Sequence, residues 1–90
     1  MSRHETFNHV VSGASDANVG FDDLRRLLRA LGFIERIRGS HHIFRRPGVI
    51  PIINLQRDGA KAKPYQVRQV RRVLIEYALG GGLLARDEED

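Results

Sequence analysis

The chain has 90 residues, enough for one small domain, with 15 Lys or Arg, 11 Asp or Glu and no Cys. A domain of this size buries a modest share of its surface, so a deep, enclosed cofactor cavity is not expected. The lack of Cys excludes a disulfide, a thiolate nucleophile and a Cys-based zinc site. No apolar run approaches the about 20 residues of a membrane span, and the N-terminus lacks a secretory apolar region, so we expect a cytoplasmic protein with no membrane partner.

Positive charge is concentrated in the middle of the chain. Residues 24–75 contain 13 Lys or Arg and 2 acidic residues, which leaves a net charge of +11, and 11 of those 13 are Arg. The guanidinium group binds phosphate oxygens bidentately and stacks on bases, so this composition favours a nucleic acid or another polyanion as partner. A basic surface that is merely solvated is the simpler alternative.

The first segment predicts a short helix over residues 1–11, because Phe7, Val10 and Val11 recur at helical spacing. Turn-forming residues follow, so residues 1–19 are predicted as an N-terminal extension of helix and loop. We expect His4 and His9 to be surface residues rather than ligands.

A stronger helix is predicted to begin at Asp22, a residue type that caps helix N-termini, with Phe21 placed as a hydrophobic staple. Its apolar stripe consists of four leucines at helical spacing, Leu24, Leu27, Leu28 and Leu31. Gly32 is placed to end this helix.

After Gly32 the apolar period changes from helical to extended. Three short strands are predicted, over residues 33–38, 41–46 and 50–55. Gly39-Ser40 and Pro47-Gly48 separate them, and turns that short require antiparallel neighbours, so the strands form a meander.

Pro64 fits the first turn of a further helix, predicted over residues 65–79. Its predicted core positions are Val67, Val70, Leu74, Tyr77 and Ala78. Glycines end this helix, which leaves residues 20–80 as the main domain and residues 81–90 as a Gly-rich, acidic tail that we expect to be disordered.

The predicted fold is therefore α+β with the order α-β-β-β-α around a three-stranded antiparallel sheet. Each helix has one apolar stripe, so both are expected to cover the same face of the sheet and to leave its other face to solvent. This topology resembles that of double-stranded RNA-binding domains, although topology alone does not establish function.

Several motifs together resemble the HicA-type toxins of HicAB toxin–antitoxin modules. They are Leu-Leu-x-x-Leu-Gly at 27–32, Gly-Ser-His-His-Ile-Phe at 39–44, Ile-Asn-Leu-Gln at 53–56, and Gly-Ala-Lys-Ala-Lys-Pro-Tyr-Gln-Val-Arg-Gln at 59–69. The resemblance covers about residues 16–77. It implies a fold like that of double-stranded RNA-binding domains, ribosome-independent cleavage of mRNA and neutralisation by a HicB-like antitoxin. In that family the His after Gly-Ser is catalytic, which corresponds to His41.

The chemistry that this resemblance implies suits the residues present. RNA carries its own nucleophile, the 2′-OH, so cleavage without a metal or other cofactor needs a group that moves a proton and cations that stabilise the charged phosphorane. Imidazole titrates close to neutral pH and suits the first task, and Arg or Lys suits the second. We therefore predict His41 as general base or acid, the alternative being a histidine that only contacts phosphate or packs at the sheet edge. The residues predicted to bind RNA are Arg38, Ser40, Arg45, Lys61 and Lys63.

His42 competes with His41, because neighbouring residues of a strand point to opposite faces. If Phe44 packs on the helices, His42 shares its face, and His41 lies on the solvent side with Arg45. A metal site is not expected, since adjacent strand residues diverge and acidic residues near His41 are few. Nothing in the spacing suggests a catalytic triad for Ser40.

Three classes of function stay open at this point. The first is an RNA-cleaving toxin, the second is an RNA-binding module without catalysis, and the third is a domain whose basic surface serves a protein partner. For the toxin, we expect the antitoxin to cover the solvent face of the sheet around His41 and Arg45.

Overall fold

The computed structural model describes residues 1–81, and its elements form an α+β fold. In chain order they are helix α1 (Arg3–Ser12), a 3-10 turn (Asp16–Asn18), helix α2 (Phe21–Ala30), strands β1 (Ile34–Arg38), β2 (His41–Arg46) and β3 (Val49–Gln56), and helix α3 (Pro64–Glu76). The predicted fold class is confirmed, and so is the short N-terminal helix. None of the helices in the described residues combines the length and the hydrophobicity that crossing a membrane requires. The domain limits at 20 and 80 stay predictions, and the predicted tail lies, apart from Gly81, outside the described residues.

The three strands form one antiparallel sheet in the order β1-β2-β3. Gly39 and Gly48 lie in the two connecting turns with φ of 59° and 84°, in the left-handed region that favours glycine and allows such short connections. The pairing of β2 with β3 is regular from His41 to Phe44 and then shifts before Arg46 pairs with Val49. Pro51 lies in this irregular part of an edge strand, where a residue without an N–H group is tolerated.

Both main helices cover one face of the sheet, as predicted, and share a single apolar core with it. The sheet contributes Phe44, Ile53 and Leu55, all fully buried. The helices contribute side chains of the same kind, Leu24, Leu27 and Leu28 from α2 and Val67, Val70, Val73 and Leu74 from α3. Burial of apolar area of this kind is the main favourable term in folding.

Helix α2 begins two residues earlier than the sequence predicts, and Asp22 is not its N-cap. Gly20 holds that position in an extended conformation, and Phe21 is the first helical residue. The reason is a long-range pairing: the Phe21 amide donates to the Ala60 carbonyl over 2.8 Å, and the Ala62 amide donates to the Val19 carbonyl over 2.8 Å. Phe21 is fully buried as a result, so it is a core residue rather than a staple outside the helix.

The end of α3 also differs from the prediction, because the helix stops at Glu76 rather than near residue 79. Ala78 adopts a left-handed φ of 52° and is exposed, so its assignment to the core was wrong. Val73, which the sequence analysis left out, takes a core position. Tyr77 is half-buried, and its hydroxyl accepts a hydrogen bond from the Ile50 amide over 3.4 Å.

Helix α1 is packed into the domain through buried Phe7 and Val10, which belong to the same core as α2 and α3. Ser2 and Glu5 form a reciprocal capping box at its start. Its other end is held by Arg71 of α3, which donates to the Val10 carbonyl over 3.1 Å and to the carboxylate of Asp16 over 2.8 Å. Both His4 and His9 are half-buried rather than fully exposed, and His9 Nε2 lies 3.0 Å from the Ser15 carbonyl oxygen.

Candidate functional site on the solvent face of the sheet

The two histidines at the start of β2 point to opposite sides of the sheet. His42 and Phe44 are buried against the helices, whereas His41 and Arg45 are exposed on the other side. The structure thus answers the question that the sequence left open, because His41 is the histidine that faces solvent. Strand alternation together with the burial of Phe44 is sufficient to explain this orientation.

The register of the sheet defines which residues share that side. Glu35 pairs with Phe44 on the side that faces the helices, so the neighbours of Glu35 along β1 lie on the solvent side. Alternation along β3 assigns the residues of that strand in the same way. We call this surface the open face, and it comprises Ile34, Arg36, Arg38, His41, Ile43, Arg45, Ile50, Ile52, Asn54 and Gln56. It contains four cationic or imidazole side chains and no carboxylate.

His41 lies in the middle strand between a cation and an amide. Its pairing partners are Arg38 on β1 and Gln56 on β3. Within residues 1–81 the imidazole ring has no hydrogen bond or ion pair to another side chain. Both ring nitrogens are therefore free to meet a ligand.

The cations of the open face are free as well. Within the described part of the chain, Arg36, Arg38 and Arg45 form no ion pair with a carboxylate. They line a shallow cleft of about 300 Å³ together with Ile43. A phosphate placed there can accept hydrogen bonds from guanidinium groups without competition from a protein carboxylate.

The turn that precedes His41 is fixed by the residues that follow β3. The Arg57 amide donates to the Ser40 carbonyl over 2.9 Å. The buried side chain of Gln66 in α3 donates to the Gln56 carbonyl over 3.2 Å. The end of the sheet at which His41 begins β2 is therefore tied both to the segment after β3 and to α3.

The two predicted lysines lie on the connection between β3 and α3, which leaves the sheet at the end where His41 begins β2. Lys61 is exposed and takes part in a backbone bridge with Gly20. Lys63 forms an ion pair with Asp58 over 2.9 Å, and the hydrogen bond to that carboxylate raises the pKa of Lys63. Of the predicted RNA-binding residues, Arg38 and Arg45 share the open face with His41, and Ser40 lies in the adjacent turn.

Three polar residues of the open face were missed in the sequence analysis, namely Arg36, Asn54 and Gln56. Arg36 alternates with Arg38 along β1, and that alternation was a usable signal once the helix-facing side of the strand was known. Asn54 and Gln56 belong to the Ile-Asn-Leu-Gln motif, whose alternation of apolar and polar residues places both amides on the side of His41.

On the opposite side of the sheet, His42 is part of a partly buried polar network. Its Nδ1 lies 2.8 Å from Glu35 Oε2, and its ring meets the ring of Phe21 edge to face at 5.1 Å between centroids. Arg25 donates to both oxygens of Glu35, over 2.6 and 3.1 Å. Burial alone raises the pKa of Glu35, but the hydrogen bonds from Arg25 and His42 outweigh it and hold that pKa below its usual range.

The same network extends to Asp22 at the start of α2 and includes a contact of Arg57 with Phe21. Arg25 and Arg57 both bind the carboxylate of Asp22, over 2.8 and 2.5 Å, and the bonds from Arg57 and Arg25 lower the pKa of Asp22 to about 2. The Arg57 guanidinium lies over the Phe21 ring at 4.5 Å. Asp22 thus ties α2 to the loop after β3, which is a structural role that its predicted capping role did not include.

No group of three or more His, Asp or Glu side chains within residues 1–81 is close enough together to hold a metal ion. The imidazole and guanidinium groups of the open face can bind and polarise a phosphate, and the imidazole can move a proton. The open face is thus suited to acid–base chemistry on a polyanion.

Fold and site define a class, a small basic α+β domain that presents a histidine and arginines on an uncovered sheet face. A family model described as "HicA toxin of bacterial toxin-antitoxin" matches residues 21–75, which is more than half of the chain. The chain therefore belongs to the HicA toxin family and is the toxin of a toxin–antitoxin system that includes a cognate antitoxin. Comparisons with curated proteins and with solved structures gave no match.

Proposed function

We propose that this toxin is an endoribonuclease that cleaves messenger RNA in the cytoplasm, independently of the ribosome and of metal ions, with His41 as its catalytic residue. The observation that supports this most strongly is the exposure of His41 on the open face, between Arg38 and Gln56. A histidine required only for the fold belongs on the other side of the strand, where His42 is.

The reaction uses the RNA's own 2′-OH. The oxygen of that hydroxyl attacks the adjacent phosphorus, its proton passes to a base, and the bond from phosphorus to the 5′-oxygen of the next nucleotide breaks. Neutral His41 accepts the proton of the 2′-OH as the base, and the protonated ring that results donates it to the departing 5′-oxygen as the acid. The product strand then ends in a 2′,3′-cyclic phosphate.

Arginines of the open face supply the electrostatic part of catalysis. The phosphorane carries more negative charge than the phosphodiester, so cations close to it stabilise the transition state more than the ground state. Arg38 is the cross-strand neighbour of His41, and Arg45 follows on the same side of β2. Lys61 and Ser40 extend the binding surface along the RNA strand.

The antitoxin is proposed to be a HicB-like protein that inhibits by covering the open face. Unpaired arginines on this surface favour an acidic partner, and RNA needs the same arginines, so the two ligands compete. Inhibition is then steric, and opposite charges accelerate the encounter at low salt.

Cleavage is expected to proceed at an undiminished rate in excess EDTA, because no carboxylate accompanies His41 on the open face. The assay uses purified toxin, an end-labelled RNA and mass spectrometry of the products, which should carry 2′,3′-cyclic phosphate or the derived 3′-phosphate. Loss of activity in EDTA that magnesium or zinc restores contradicts the proposed chemistry. Binding of RNA with no cleavage under any condition identifies an RNA-binding module instead.

A further inference from the structure

The end of the open face farthest from His41 carries an apolar pocket. Its walls include three isoleucines from two different strands, Ile34 of β1 and Ile50 and Ile52 of β3. The pocket has a volume of about 430 Å³ and is open to solvent. Arg45 and Arg46 form its polar rim.

All three isoleucines are exposed, and Ile50 and Ile34 are the most exposed large apolar residues within residues 1–81. Ile50 is 88% exposed, Ile34 is 65% exposed and Ile52 is 47% exposed. Contiguous apolar surface on a small soluble protein marks an interaction site more often than isolated exposed residues do. Ile50 and Ile52 alternate with the buried, helix-facing residues of β3, so both lie on the open face beside each other.

The chemistry of the pocket selects a protein as its occupant. RNA is recognised by stacking on aromatic or guanidinium planes and by hydrogen bonds to base edges, and isoleucine side chains offer neither. A second copy of this chain is disfavoured, because it brings Arg45 and Arg46 against the same arginines, and within the described residues neither forms an ion pair. An apolar side chain flanked by carboxylates satisfies both the isoleucines and the arginine rim.

We propose that this pocket is the anchoring site of the cognate antitoxin, which inserts an apolar side chain between Ile34, Ile50 and Ile52 and places carboxylates against Arg45 and Arg46. The inference rests on the proposed function for the role of the neighbouring His41. Arg45 lies four positions after His41 on an extended strand, a distance of about 13 Å. The antitoxin is therefore held at one end of the open face and blocks RNA at the other.

A consequence is that neutralisation and cleavage can be separated by mutation. Ile50→Glu places a carboxylate where the antitoxin's carboxylates approach, and its high exposure leaves the fold intact. We expect the affinity for the purified cognate antitoxin to fall at least about tenfold, since anchor residues in pockets dominate interface energies. The rate of RNA cleavage is expected to stay within about twofold, because the Ile50 side chain itself takes no part in the reaction and lies at the end of the open face farthest from His41.

The matched control is Ile75→Glu, since Ile75 is 60% exposed and lies on α3, away from the sheet. Calorimetry at fixed salt measures the affinity for the antitoxin, and a labelled RNA reports cleavage. Sedimentation measures the self-association of the free toxin. Unchanged antitoxin affinity for Ile50→Glu overturns the proposal. A loss of cleavage with retained antitoxin affinity also overturns it, because the pocket then binds RNA. A dimer of the free toxin that Ile50→Glu dissociates overturns it as well, because the pocket then binds a second copy of the chain. Loss of antitoxin binding in a protein that never cleaves RNA supports the anchoring site while it contradicts the proposed nuclease.

Discussion

Replacing His41 with Ala is expected to abolish RNA cleavage and the growth arrest caused by the toxin, while the fold is retained. The side chain is exposed and has no polar partner within the described residues, so its removal leaves no cavity and no unsatisfied group. The free energy of unfolding should therefore change by less than about 1 kcal/mol. The loss of a general acid or base should lower the rate by at least about a hundredfold.

The measurement pairs single-turnover cleavage with urea unfolding of the same preparation. His9→Ala is a useful control, because His9 lies on α1, away from the sheet, and its loss should leave the cleavage rate unchanged. A folded His41→Ala protein that cleaves RNA at the wild-type rate contradicts the assignment of the catalytic residue.

Replacing His42 with Ala is expected to have the opposite profile, with a large loss of stability and an intact reaction. The change removes the hydrogen bond to buried Glu35 and the edge-to-face contact with Phe21. We expect a destabilisation of about 2–4 kcal/mol from the lost hydrogen bond and the cavity. At a temperature well below its unfolding midpoint, the variant should cleave at close to the wild-type rate.

Glu35→Gln tests the same network from its centre. The amide keeps the shape of the side chain but removes the charge that Arg25 and His42 share, so stability should fall here as well. Thermal unfolding measures the loss of stability, and the cleavage assay shows whether activity is retained. A His42→Ala protein with wild-type stability and no activity means that the roles of the two histidines are exchanged.

Local patterns in the sequence were sufficient for the sheet, and they gave the orientation of His41 only on the condition that Phe44 is buried. The two short turns require a meander, and period-two alternation with Phe44 as the buried reference places His41 and Arg45 outside. These inferences depend only on neighbours a few residues apart, which is the range over which strand geometry is fixed.

Features that depend on contacts between distant segments were not predictable in the same way. Asp22 has the chemistry of an N-cap, yet the pairing of residues 19–21 with 60–62 starts the helix at Phe21. The Asp22 carboxylate therefore binds Arg25 and Arg57 instead of capping the helix. The Glu35 network depends on the register of β1 against β2.

The apolar pocket also depends on bringing together segments that are distant in the sequence. Ile50 and Ile52 come from β3 and line the same pocket as Ile34 of β1, which lies on the far side of β2. In the sequence these isoleucines have the spacing of ordinary strand residues, so their shared exposure required the structure.

The most direct test of the account is cleavage of an RNA that carries one 2′-deoxynucleotide on the 5′ side of the scissile phosphate. If His41 activates the 2′-OH of the substrate, that linkage should be inert, while the same substitution one position away should leave cleavage intact. Binding of both RNAs should be equal, since arginine contacts to phosphate do not involve the missing hydroxyl. Cleavage at the 2′-deoxy linkage at the normal rate contradicts the account, because the nucleophile must then be water or a side chain.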